Sequence, residues 1–371
     1  MTFLYILAAI VMLGVMVTIH EAGHFWAARL TGIPVKEFAI GFGPKILSWN
    51  SKKHETKFFL RLIPAGGYCM FYGEDDTEGK EAEDPRAFGN FAVWRRILTV
   101  AAGPVMNFVL ALLVASCIFS SIGEDAGGEY GYTVIQSLSP GSPAEEAGLQ
   151  TGDMLLSVNG QDAKGLTEDG DAYQISRLID GYIPGGEPLT LGVQRGNETF
   201  FVQAAPRYDE TEKRSLIGVT LLVQYTPAYI PVSLPRAAGL GAQYCVRAGG
   251  AILTSLRDLV TTGRGFEESS GPVGIIRLIA EETQSAARAS RSDAVITYAQ
   301  LLVLISVNLG LFNLIPIPGL DGSRIVFLII EGVRRRPVPR KIEAYVHTAG
   351  YMLLLGLMLV MTFKDVLHIF R

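Results

Sequence analysis

His20, Glu21 and His24 stand together as His-Glu-Ala-Gly-His. On a helix, positions i and i+4 share one face, so both imidazoles can reach a single metal ion. Glu21 lies one step around the same turn and can take the proton of a metal-held water. The motif closes an apolar run, residues 2–19. Two histidines and a glutamate are costly there unless they face a polar interior or a metal. The competing explanation is a pair of interfacial histidines that cap a membrane helix.

A catalytic zinc takes three protein ligands and keeps one position for water. The third ligand must come from elsewhere in the chain, and His54, His347 and His368 have no supporting motif. A better source is the stretch from Asn308 through Asn313, Pro316, Pro318 and Leu320 to Asp321 and Gly322. Pro316 and Pro318 cannot continue a regular helix. The backbone groups they free are tolerated at membrane depth only against protein or water. The broken segment delivers Asp321 to the same end of the apolar runs as His20 and His24. Taken alone, Asp321 also reads as an interfacial helix cap.

These residues need elements that hold them at one depth, and the composition says what kind. Only 18% of the 371 residues are charged, against about 25% in soluble domains. Residues 97–123 and 294–320 are each 27 positions without Asp, Glu, Lys or Arg; residues 2–19 add 18 and residues 344–363 add 20. A helix needs roughly 20 apolar residues to cross a bilayer, and all four runs qualify. A soluble enzyme and a disordered tail are excluded, and the net charge of −4 offers nucleic acid no basic field. The expected fold is a membrane α-helical protein with four transmembrane helices: 1–29 with the metal motif, 97–123, 294–320 with its broken end, and 344–363.

Charge distribution predicts orientation. Residues 24–96 carry 11 Lys/Arg and residues 321–343 carry six, while residues 124–293 carry 13 against 22 Asp/Glu. Short basic loops stay cytoplasmic and long domains translocate largely regardless of charge. Both basic loops are therefore expected inside, with the acidic insert and both termini outside. The first run lacks a basic start and leads directly into the metal motif, so it is read as a retained helix, not a cleaved signal peptide. Cys69, Cys117 and Cys245 lie far apart and form no disulfide framework.

Between the spans, residues 33–72 read as extended, with turns at Gly41–Pro44 and Pro64–Gly67. They are expected to form a cytoplasmic-side, membrane-associated β region. Residues 73–86 are a charged surface loop, and 237–262 an amphipathic helix on the outer membrane surface. Residues 129–205 form an inserted α+β unit. Its string from Ser142-Pro143-Ala144 through Gly152-Asp153 to Val158-Asn159-Gly160 resembles PDZ domains, which bind an extended peptide as an added strand.

Taken together, the chain resembles the site-2 protease family of intramembrane zinc metalloproteases, in its bacterial regulator-of-sigma-E branch. His20-Glu21-x-x-His24 matches the first family motif and Asn313-x-x-Pro316-x-Pro318-x-Leu320-Asp321-Gly322 the second. Ala102-Gly103-Pro104 with Asn107, Gly41-Phe42-Gly43 and the PDZ-like unit also fit. The departure is a single PDZ domain where some relatives carry two, which leaves open how substrates are screened outside the membrane. The resemblance implies zinc held by His20, His24 and Asp321, with Glu21 as general base. It implies that Asn308 and Asn313, with Pro316 and Pro318 in the same segment, serve the substrate. It also implies that the 55–72 stretch clamps an unwound substrate as a strand, where the residues alone allow a purely structural hairpin. The expected partners are the lipid bilayer and single-span membrane proteins, such as anti-sigma-factor-like regulators or remnant signal peptides. The expected location is the bacterial cytoplasmic membrane, with the PDZ domain extracytoplasmic and the active site near the cytoplasmic side. Two other classes remain: a non-catalytic PDZ membrane scaffold, whose mark would be a broken metal motif, and a transporter, whose mark would be paired repeats.

Overall fold

The structure, a computed structural model, describes residues 2–51, 55–73, 84–166, 173–209, 214–262 and 270–369. His54 and most of the charged loop at 73–86 lie outside these residues. The chain divides into two compact units: Met1–Ser121 with Val232–Arg371, and Ile122–Pro231 between them.

The first unit opens with α1, Thr2–Thr31. It stops at Gly32, whose φ of 77° favours a residue without a Cβ. There the Ile33 and Gly32 N–H groups bond back to the Ala28 and Arg29 carbonyls, a Schellman closure. Strands β1 (Val35–Asn50) and β2 (Lys57–Phe71) form a sheet that folds back on itself. Glu37–Ile40 pair with Gly67–Met70 on one side and with Lys57–Leu60 on the other, which leaves segment 67–71 at an edge. The chain reverses at Gly41, Gly43 and Gly66, all at positive φ. A Cβ on Gly66 would lie 1.8 Å from the Phe42 ring. Phe42, Ile46, Leu47, Trp49, Leu62 and Ile63 of this sheet are exposed. Helix α2, Val93–Ile122, follows. A Cβ on Gly23 of α1 would sit 2.4 Å from the Ala102 carbonyl oxygen of α2; small residues let the two backbones touch.

The second unit contains strands β3 (Glu124–Asp125) and β4 (Glu129–Leu138), helix α3 (Pro143–Glu146), and strands β5 (Met154–Val158) and β6 (Gln161–Asp162). Helix α4 (Gln174–Asp180) and strands β7 (Leu189–Arg195), β8 (Glu198–Ala204), β9 (Arg207–Asp209), β10 (Arg214–Leu216), β11 (Val219–Thr226) and β12 (Tyr229–Ile230) complete it. The main sheet has the order β11-β4-β5-β7-β8, with β6 on β5. The Asn159-Gly160 turn joins β5 to β6 with both residues at positive φ, as a two-residue hairpin requires. Ile135, Leu155, Ile175, Leu191 and Val193 are its buried centre. The unit runs past residue 205 because β11 pairs with β4 along its length.

The chain then returns to the first unit through α5 (Leu234–Thr262), α6 (Pro272–Ala289), α7 (Arg291–Leu314), α8 (Asp321–Arg334) and α9 (Arg340–Ile369). Among the described residues, four helical stretches are long and apolar enough to cross a membrane: Phe3–Thr31, Val93–Ile122, Arg291–Leu314 and Lys341–Leu367. They coincide with the four apolar runs. Helices α6 and α8 escape a search for such runs: Arg277 and Glu281 interrupt α6, and α8, at 14 residues, is too short to span. Ala9, Met12 and Met16 of α1 are buried with Ile279 of α6, and the Tyr298 hydroxyl of α7 donates to the Ala8 carbonyl at 2.8 Å. Helix α5 approaches α2 at Gly241, next to Ser116, and α7 at Gly249, opposite Val307. Arg96 of α2 and Glu331 of α8 form a two-pronged ion pair, the geometry in which a guanidinium grips a carboxylate best.

Candidate active site

Helix α1 presents His20 and His24 on the face that α2 covers. Both are buried, at 7% exposure each. The His24 Nδ1–H donates to the Thr99 carbonyl at 2.9 Å, which leaves Nε2 as the ring atom turned toward Gly103, His20 and Asp321. His20 Nδ1 lies 3.1 Å from the Asn107 amide nitrogen. Gly103 of α2 makes room between them: a Cβ there would fall 2.3 Å from His24 Nε2 and 2.9 Å from His20 Nε2. This cradle explains the glycine of Ala102-Gly103-Pro104 better than helix packing alone.

Asp321 arrives from the other side. Helix α7 ends at Leu314, and Pro316 and Pro318 prevent its continuation. Gly319, at φ 100°, turns the chain so that Asp321 becomes the first residue of α8. The next residue must be glycine, because a Cβ on Gly322 would lie 2.4 Å from both the Leu314 and Ile315 carbonyl oxygens. Helix α9 backs this loop. Its Gly350 admits the Pro318 carbonyl, to which a Cβ would come within 2.2 Å, and His347 Nδ1 accepts from the Gly319 N–H at 3.3 Å. His347, one of the other histidines considered as a ligand, thus supports the loop that carries Asp321.

The donor atoms converge. His20 Nε2 is 3.0 Å from Asp321 Oδ2, His24 Nε2 is 3.4 Å from the same oxygen, and the two Nε2 atoms are 3.2 Å apart. Tetrahedral zinc with bonds of about 2.0–2.1 Å separates its ligand atoms by about 3.3–3.4 Å, so the three atoms already stand near the edge lengths of a zinc site. His20, His24 and Asp321 are also the metal-capable cluster found among the described residues. Charge agrees with geometry. Glu21 and Asp321 bring two carboxylates into one cavity that Arg324 also lines, and a divalent cation would help to balance them.

Glu21, His20, His24, Asp321 and Asn313 line one cavity of about 360 Å³. Glu21 accepts a hydrogen bond from the backbone of Cys69, so the edge segment 67–71 forms a wall of the same cavity. Asn313 Nδ2 donates to the Leu309 carbonyl at 3.0 Å. Asn308, Pro316 and Pro318 are not among the lining residues. Five residues along a helix turn its face by about 140°, which separates Asn308 from Asn313. The Asn308 side-chain oxygen is buried without a hydrogen-bond partner among the described residues. Tyr68 and Arg324 also line the cavity. Neither belongs to a metal motif, so sequence carries no signal for them, although Arg324 falls three positions after Asp321.

Membrane-length helices that converge on a helix-borne His-Glu-x-x-His and a distant aspartate define a membrane-embedded metallopeptidase. The chain belongs to peptidase family M50, whose family model matches residues 8–357. It is similar to the regulator of sigma-W protease RasP of Bacillus subtilis, at 31% identity over 98% of this chain and 99% of that one. Two proteins that carry the name "Putative zinc metalloprotease" align comparably. One, from Clostridium acetobutylicum, is 32% identical over 99% of both chains. The other, from Nostoc, is 33% identical over 97% of this chain and 95% of its own. A solved structure, the PDZ domain of an SdrC-like protein from Listeria monocytogenes, aligns with 25% of this chain and 90% of its own. Its 17% identity and TM-score of 0.21 are too low to bear on the fold of the second unit.

Proposed function

We propose that this protein is an intramembrane zinc endopeptidase that cleaves the membrane segments of single-span proteins. The observation that carries this reading is the meeting of His20, Glu21, His24 and Asp321 in one cavity walled by a strand edge. His20, His24 and Asp321 are the zinc ligands. Zinc, when bound, lowers the pKa of water toward ~7 and polarises the scissile carbonyl. Glu21, held by the Cys69 backbone, is the base that takes the proton of the attacking water and passes it to the leaving amine.

A transmembrane helix hides its peptide bonds in its own hydrogen bonds, so it must unwind locally before cleavage. The unwound backbone then needs partners. Segment 67–71 offers a strand edge beside Glu21, and strand addition satisfies a peptide backbone along its length. Asn313 uses one N–H on Leu309, and an amide has further donor and acceptor capacity for substrate or oxyanion. Asn308, Pro316 and Pro318 act behind this surface, by shaping the segment that presents Asn313 and Asp321.

The protein resides in the bacterial cytoplasmic membrane with the basic 321–343 loop inside and the second unit outside, as the charge pattern supports. That unit is a PDZ-type module that docks substrates or limits their size. Substrates are single-span regulators of the anti-sigma-factor type or remnant signal peptides, a class in keeping with the name of the Bacillus relative. The filled metal motif leaves the non-catalytic scaffold reading without support.

The test replaces Glu21 by Gln, which keeps the side-chain shape and removes the base. Purified Glu21→Gln protein is expected to hold one zinc per chain while cleavage of a single-span substrate falls by about 10²- to 10⁴-fold. Undiminished turnover would refute the assignment of Glu21.

A further inference from the structure

Helix α2 holds more than the histidines. Its buried residues include Arg96, Thr99, Gly103 and Asn107, spaced three, four and four apart, so they form one stripe along the helix. Three of the four bear on His20 and His24. The Thr99 carbonyl and the Asn107 amide meet the two rings at 2.9 and 3.1 Å, and Gly103 leaves the rings room. The fourth bears on α8. Arg96 grips Glu331 with both terminal nitrogens, Nη1 to Oε2 at 3.1 Å and Nη2 to Oε1, while its Nε–H donates to the Phe91 carbonyl at 2.9 Å. Next to Glu331, Gly332 faces the Val93 side chain, to which a Cβ would stand 3.5 Å away. One helix therefore holds the histidines of α1 and the far end of the helix that begins with Asp321.

Asp321 and Glu331 lie ten residues apart, about 15 Å along a helix. The near end of α8 follows the loop broken by Pro316 and Pro318, which α9 backs through His347 and Gly350. The far end is tied by Arg96. A swing of α8 by about 5° about Glu331 would move Asp321 by about 1.3 Å, whereas metal–ligand distances tolerate only about 0.2 Å. A two-pronged guanidinium–carboxylate pair fixes direction as well as distance, so it is suited to stop such a swing. Stability alone does not account for it, because a buried ion pair gains little over apolar residues of the same volume. We infer that Arg96 and Glu331 are positioning residues of the metal site, which set the reach of Asp321 toward His20 and His24. The inference rests on the reading of Asp321 as a ligand.

The experiment uses the full-length protein in detergent and measures zinc affinity by competition with a chromophoric chelator. The ligand-field spectrum of the cobalt-substituted protein supplies a second readout, which a merely structural role would not move. Arg96→Met/Glu331→Leu removes both charges together, so no buried charge is left unpaired and the fold is kept. This variant is expected to bind zinc about 10-fold more weakly than the wild type, the low end of what loss of a ligand's support costs, and to show displaced cobalt bands. If it does not fold, Glu331→Gln, which keeps the shape and loses the charge, takes its place with an expected loss of about 3-fold. Wild-type zinc affinity in the folded variant overturns the inference. Weaker binding with unchanged cobalt bands overturns it too, since a displaced ligand must alter the ligand field. An Asp321→Ala protein that binds zinc at wild-type affinity overturns the ligand reading instead. Loss of zinc there, with wild-type affinity in Arg96→Met/Glu331→Leu, removes the role of the ion pair alone.

Discussion

At the scale of single residues, the site depends on absent atoms as much as on present ones. Gly103 is the sharpest case. Alanine is the better helix former by about 1 kcal/mol, so Gly103→Ala costs α2 nothing in local propensity. Its methyl carbon, however, would occupy the space 2.3 Å from His24 Nε2, where the ligand set converges. The expected outcome is a folded protein in which the His24 ring is displaced, at a cost in metal-free stability that offsets the helix gain, and which has lost its zinc. Metal analysis of the purified variant checks this, and a full zinc complement would show that the cradle is roomier than its geometry. Gly322 and Gly350 serve the same end at one remove, by letting backbone carbonyls approach the loop that carries Asp321.

At the scale of elements, pairs of side chains fix how segments sit. In the second unit, Asp153 on the approach to β5 is fully buried and takes two bonds from the Arg195 guanidinium of β7, at 2.7 and 2.8 Å, and one from the Gln150 N–H. The Arg195 bonds chiefly, with help from Gln150, hold its carboxyl below the usual carboxylate range against the opposing effect of burial. The sign follows. A group with a depressed folded pKa binds more protons when unfolded, so stability rises with pH between the two values. The contribution is complete above the unfolded value of about 3.9 and is lost as pH falls through the lower folded value. Amide-exchange protection of β5 and β7 in the full chain, corrected for intrinsic rates, is expected to stay level down to about pH 4 and to fall below it. Asp153→Asn should be less protected at neutral pH and should lack that acid-side step; an unchanged step would place its origin in another carboxylate.

At the scale of the whole molecule, one unit carries the proposed metal ligands and the other is inserted into its chain. The insertion is closed at its base. β3 pairs with β12, Asp125 opposite Tyr229 and Glu124 opposite Ile230, so the incoming and outgoing chains are neighbours and few residues are needed to bridge them. Among the described residues, none that lines the cavity comes from the inserted unit. Replacing Ile122–Pro231 by a short flexible linker is therefore expected to leave zinc content unchanged and to widen the range of substrates cleaved. Zinc loss in a deletion protein that still elutes as a folded species would contradict this separation.

The sequence by itself determined which residues could do chemistry. Helix geometry is local, so a four-residue spacing suffices to put His20 and His24 on one face. Apolar run length likewise suffices to locate the four membrane-length helices, and Asn-Gly at 159–160 to locate a hairpin. Paired prolines mark the break that frees Asp321. Tertiary structure decided everything that depends on what lies across a contact. It placed segment 67–71, and not the whole 55–72 stretch, beside Glu21, because Glu37–Ile40 take up two other segments as partners. It made Gly103 a space for donor atoms and His347 a prop for a loop, and it set an amide behind one histidine and a carbonyl behind the other. No spacing along the chain encodes these facts, since each joins residues many positions apart whose meeting is set only when the helices pack.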